Sequence, residues 1–153
     1  MDRFARDALA PFVLRLGLAV VFVYHGLSKL GPETRWGTAW DAELAPAAQA
    51  AVAWGEFVGG VALAIGFLVR LAGLGLLVIM AGAVALVHGP NGFALVSPEV
   101  PSTAAEMGYE YHFVLIVVCL GVVLLGSGPL GLDHWLLPGG RRPRGGIRTV
   151  GRW

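Results

Sequence analysis

FVLRLGLAVVFVYHGLSKL, residues 12–30, decides how the rest of the chain is read. It is long and apolar enough to cross a bilayer as a helix, which takes about 20 residues, yet it carries Arg15, His25, Ser28 and Lys29. Ionisable groups at membrane depth are costly and face a protein interior or a wet cavity, with partners. At about 100° per residue His25 and Lys29 share a face one turn apart, with Ser28 beside them and Arg15 in the same half of the helix. Such a helix needs neighbours, and the remaining sequence supplies them.

Of the 153 residues, 56% are hydrophobic and 14% charged, with a mean hydropathy of +0.71. Soluble domains carry about 25% charged residues, so the composition indicates one compact membrane domain. The charges are unevenly placed. Five arginines (Arg141, Arg142, Arg144, Arg148, Arg152) fall in the last thirteen residues, and Arg70 is the only Lys or Arg between Arg35 and Arg141. Without a folded basic surface beside it, that tail suits an anionic membrane surface better than nucleic acid. The single cysteine, Cys119, sits in an apolar run, so no internal disulfide or CxxC chemistry is available and it reads as a small buried hydrophobe. The start of the chain lacks a small-x-small site directly after Leu30, so the first helix is expected to remain uncleaved.

Residues 51–88 are apolar apart from Glu56 and Arg70 and the closing His88. One helix of that length would span about 57 Å, roughly twice the hydrocarbon core. The segment must fold back, and Arg70 is expected to mark the turn. Residues 89–108 hold Pro90, Pro98 and Pro101 and no Lys or Arg, and a further apolar run comes next, ending at the Gly126-Ser-Gly-Pro129 stop. The expected architecture is all-α, an integral membrane four-helix bundle with helices at about 51–69, 71–88 and 109–127 besides the first. Residues 1–135 form the membrane domain and 136–153 a basic cytoplasmic tail. The distribution of arginines gives N-in, C-in topology in a bacterial-type inner membrane. Trp36 and Trp40 suit an interfacial belt or the top of the domain itself.

Antiparallel packing gives each polar residue a height. His25 and Glu56 lie at similar depth on the outward side of the bilayer centre, and Lys29, His88, Asn91, Glu110, Tyr111 and His112 fall near the outward helix ends. Arg15 lies in the inner half, with Asp133 and His134 as candidate partners; Arg70 is a further structural charge. Two readings are open. In one, Glu56 pairs with Lys29 or His25 and Arg15 with Asp133 only to dock helices. In the other, the outward cluster lines a ligand pocket, since docking alone needs fewer polar groups. His25, His88 and His112 with Glu56 have the residue types of a metal or haem site but no HxxxH or HxxE spacing. A quinone headgroup fits better: His25, Lys29, Glu56 and Tyr111 offer hydrogen bonds and a proton route beside apolar walls. A continuous transport path is not apparent.

The first helix, from Arg15 to His25-Gly26-Leu-Ser-Lys29, together with Glu56-Phe-Val-Gly59-Gly60 and the later Gly66 and Arg70, resembles the DoxX family. His88-Gly-Pro-Asn91-Gly92-Phe93, Gly108-Tyr-Glu110-Tyr111 and the ending from Gly126 to Asp133 extend the resemblance over residues 14–133. It departs from the family ending at Gly131, where a serine is common, and in the arginine-rich tail. The resemblance implies a four-helix membrane bundle, related to the membrane subunit of a thiosulfate:quinone oxidoreductase, and a frequent link to redox metabolism without an assigned reaction. The leading expectation is therefore a redox-associated subunit that binds a quinone-like molecule, draws electrons from a partner protein and relays protons through Glu56 and His25. Its rivals are a non-catalytic membrane scaffold and a metal- or haem-binding protein. Self-association stays open.

Overall fold

In the computed structural model, which describes residues 4–30, 44–94 and 107–136, the first apolar run is one long helix. A π-helical turn, Ala5–Leu9, leads into α1, Ala10–Leu30. Then come α2, Pro46–Ile65, and α3, Val69–Ala83, which continues through a π-helical turn, Val84–His88, and a short 3-10 turn, Gly89–Asn91. The described residues close with α4, Glu110–Leu125, and the short α5, Leu132–Leu136. No strand occurs among the described residues. Trp36, Trp40 and the basic tail from residue 137 onward lie outside them.

Two expected boundaries are corrected. The second helix does not span 51–69; it starts at Pro46, because Pro at the first turn loses no hydrogen bond and the alanines after it favour helix. Nor is Arg70 the turn. Gly66 ends α2 in the left-handed conformation (φ 74°), with its own N–H on Leu63 O and that of Phe67 on Ala62 O, a Schellman cap. Leu68, also left-handed at φ 47°, then precedes α3, so Arg70 sits inside that helix on an exposed face. The left-handed region costs a leucine about 1–2 kcal/mol. Hydrogen bonds from other elements hold it there.

α1 packs against α2 and α4, and α3 against α2 and α4. The α1–α2 contact is closest where glycines remove side chains. A Cβ added at Gly26 would lie 2.5 Å from Phe57 N, and one at Gly60 2.8 Å from Val23 N. Without a hydrophobic driving force inside lipid, such backbone approach supplies the van der Waals contact that holds helices together. Phe22, Leu63, Leu76, Cys119 and Val122 fill the middle of the packed region and are almost fully buried.

One end of the helix array is tied shut. Arg15, 1% exposed, donates from Nη1 to Leu63 O and Ala64 O, both at 2.8 Å, and from Nη2 to Leu130 O at 2.7 Å. Its guanidinium also lies over the Phe12 ring, 5.1 Å from the centroid. The expected Arg15–Asp133 hydrogen-bonded pair does not form. Asp133 instead accepts from Leu68 N at 2.6 Å and Val69 N at 2.9 Å, while its own N–H donates to Gly66 O at 2.9 Å. The reason is geometric: α2 ends with carbonyls that keep lone pairs to spare and attract a cation, and α3 begins with N–H groups that have no partner in the helix and attract an anion. The two charges therefore cap opposite sides of the same turn. Gly131 packs into this knot, where an added Cβ would stand 2.5 Å from that of Ser127.

Candidate functional site

At the opposite end the helices enclose a cavity of about 460 Å³. That is within the range of small-molecule sites, roughly 300–1,000 Å³. Its polar lining consists of His25 and Lys29 on α1, Glu56 on α2, His88 at the end of the α3 extension, and Tyr111 and His112 on α4. The other walls are apolar, with Phe22, Val52, Met80, Leu86 and Leu115 among them.

Glu56 is 1% exposed and takes Lys29 Nζ on both carboxylate oxygens, at 2.6 and 2.7 Å. Helical spacing brings this about: Lys29 lies one turn beyond His25, and Gly26 between them lets α2 approach closely enough for Glu56 to meet the ammonium. His25 Nε2 stands 3.4 Å from Tyr111 Oη, and the two rings lie tilted at 54° with centroids 6.2 Å apart. The first and fourth apolar helices thus meet through a polar contact at the cavity rim.

The π-helical turn carries His88 to the cavity. Its i→i+5 bonding adds a residue to the turn and rotates the chain beyond it relative to an unbroken α-helix. His88 Nδ1–H donates to Met107 O at 2.9 Å, because a carbonyl can only accept. Its ring stacks on His112 with centroids 4.1 Å apart. Nδ1 of His112 is enclosed without a hydrogen-bond partner among the described residues, as is Nε of Arg15 at the tied end.

Asn91 and Glu110 are exposed and do not line the cavity; Asn91 Nδ2 donates to Met107 O at 3.2 Å, helping to shape the segment beside it. Arg15, Arg70 and Asp133 are likewise away from it. Of the histidines, His88 and His112 come face to face and His25 turns to Tyr111. No three His, Cys, Asp or Glu side chains converge as a metal site among the described residues. Sequence reasoning missed Met80, Met107 and Gly82 as cavity residues, and nothing in their residue types distinguishes them from packing positions.

Three of the helical stretches, Ala5–Leu30, Pro46–Ile65 and Val69–Asn91, are long and apolar enough to cross a membrane, and Glu110–Leu125 is a shorter apolar helix. The chain is a multi-pass membrane protein in which the buried Glu56 pairs with the partly buried Lys29. The family model described as DoxX matches residues 10–89. That is more than half of the sequence, and the chain belongs to the DoxX family, whose members are often redox-associated. No curated protein and no solved structure matches it.

Proposed function

We propose that this DoxX-family chain is a four-span membrane protein, with both termini cytoplasmic, that binds a quinone-like molecule in its cavity as a redox-associated subunit. One observation carries the reading: a mostly apolar cavity ends in Lys29, Glu56, His25 and Tyr111, contributed by three helices. The apolar walls suit a planar ring and discourage water. The polar end suits carbonyl oxygens, which accept hydrogen bonds from the Tyr111 hydroxyl and the His25 ring. Reduction of a quinone takes up electrons and an equal number of protons. A partner protein supplies the electrons, while His25 and the Glu56 carboxylate pass protons and Lys29 holds the local positive charge.

The test is equilibrium binding of a tailless benzoquinone to the protein in lipid nanodiscs. Tyr111→Phe and His25→Ala are each expected to weaken binding by about tenfold, the order of one lost hydrogen bond. Binding that survives His25→Ala combined with Glu56→Gln overturns the assignment.

The rival, a scaffold, is favoured by the two-pronged Lys29–Glu56 contact, which already couples α1 to α2. Removing one partner of a buried pair leaves an uncompensated charge and destabilises, whereas replacing both by apolar groups is often tolerated. A Lys29→Met/Glu56→Leu variant is therefore expected to melt close to wild type yet bind no quinone. If no quinone binds wild type either, the scaffold reading stands.

A further inference from the structure

α3 and its extension supply the largest share of the cavity's apolar lining, and their position says how a ligand reaches the polar end. α2 and α3 run antiparallel and touch at Gly59 with Leu76 and at Gly55 with Ile79: a Cβ added at either glycine would come within 3.0 or 2.8 Å of the facing side chain. One turn further toward the His88 end, the same register brings Val52 level with Gly82, which sits at the edge of the α2–α3 seam. Both line the cavity. At that edge the space is open, since a Cβ added at Gly82 would meet no heavy atom within 4 Å. Val78 and Leu86, on either side of Gly82 along α3, also line the cavity and are 62% and 70% exposed.

Both belong to Val69–Asn91, a stretch long and apolar enough to cross a membrane; exposed apolar side chains on such a span suit acyl chains, so a gap beside them suits hydrocarbon better than water. On α2, Val52 lies one turn from Glu56 on the same face, so the gap leads directly to the ion pair. Resting on the headgroup reading, we propose that the cavity opens sideways to the bilayer between α2 and α3 at Gly82. The ligand is then a membrane quinone whose isoprenoid tail lies across Gly82, between Val52 and the Val78–Leu86 stripe, while its ring faces Lys29 and Glu56. A glycine suits this place because any larger side chain on α3 would stand in the tail's path.

The experiment compares one dimethoxy-methyl-benzoquinone headgroup with and without a geranyl side chain, each titrated into nanodisc-reconstituted wild type, Gly82→Ala and Gly82→Leu. Thermal melts accompany each titration. Wild type is expected to bind the geranyl form at least about tenfold more tightly, since each buried methylene adds about 0.8 kcal/mol before ordering costs. Gly82→Leu is expected to remove that preference, bringing the affinities of the two probes within about twofold of each other, and Gly82→Ala to fall between. A geranyl preference that survives Gly82→Leu, an equal loss of both probes, or a wild type that binds both alike overturns the opening. Failure of wild type to bind either probe overturns the headgroup reading itself. Geranyl binding displaced by ordinary phospholipid to the same extent in every variant assigns the gap to an acyl chain and also overturns the proposal.

Discussion

Arg15 shows what a single residue's chemistry fixes and what it leaves hidden. An arginine inside an apolar helix announces that it has partners, and its sequence position puts them in the half of the molecule opposite His25. The partners are backbone carbonyls of Leu63, Ala64 and Leu130, which carry no residue signature, so a sequence displays only side chains such as Asp133 and His134 as candidates. Three acceptors from two segments suit a planar fork of donors and not a compact ammonium. Arg15→Lys is therefore expected to lose at least one of these bonds and to cost about 1–3 kcal/mol, read as a lower melting temperature in detergent. Arg6→Lys, at an exposed Arg6–Asp7 pair, should leave it unchanged. Equal melting of the two variants would mean that the Arg15 knot is not a determinant of stability.

Helices are the most legible elements, because long apolar runs bounded by Pro and Gly leave few alternatives. Their ends are less so. Arg70 draws attention as the lone charge between Glu56 and His88, but a charge does not bend a chain; the left-handed backbone at Gly66 and Leu68 does. Glycines in apolar helices offer close helix packing, but a sequence does not tell which of them touch. The structure separates them. Gly26 admits no Cβ against the α2 backbone, whereas Gly17 on the same helix has nothing within 4 Å. Gly26→Ala should force α1 off α2 and lower stability by about 1–3 kcal/mol, as overpacking does. Gly17→Ala should be neutral or stabilising by up to about 1 kcal/mol, because alanine favours helix. Thermal melts of the pair decide whether backbone contact at Gly26 holds the two helices together.

At the scale of the whole molecule, the structure divides into a tied end and an open end. Arg15, Gly66, Asp133 and Gly131 knit the first, and the cavity occupies the second. The proposed topology puts the tied end at the cytoplasm and the cavity outside, on the ground that Arg70 lies just past the tied turn and residues 89–108 carry no Lys or Arg. This orientation is testable with the chain's own α3 as the divider. Cys119 is buried, so Cys119→Ala removes the background thiol at little cost. Phe67 precedes α3 at the tied end and is 38% exposed, while Phe93 comes after its extension at the cavity end and is 51% exposed. With Phe93→Cys, a membrane-impermeant maleimide should label intact cells of a bacterial host; with Phe67→Cys, only opened ones. The reverse pattern would place the cavity on the cytoplasmic side, so that a ligand headgroup would exchange protons with the cytoplasm. Labelling of both from one side would mean that α3 does not cross, and a sideways opening onto acyl chains would then lose its physical basis.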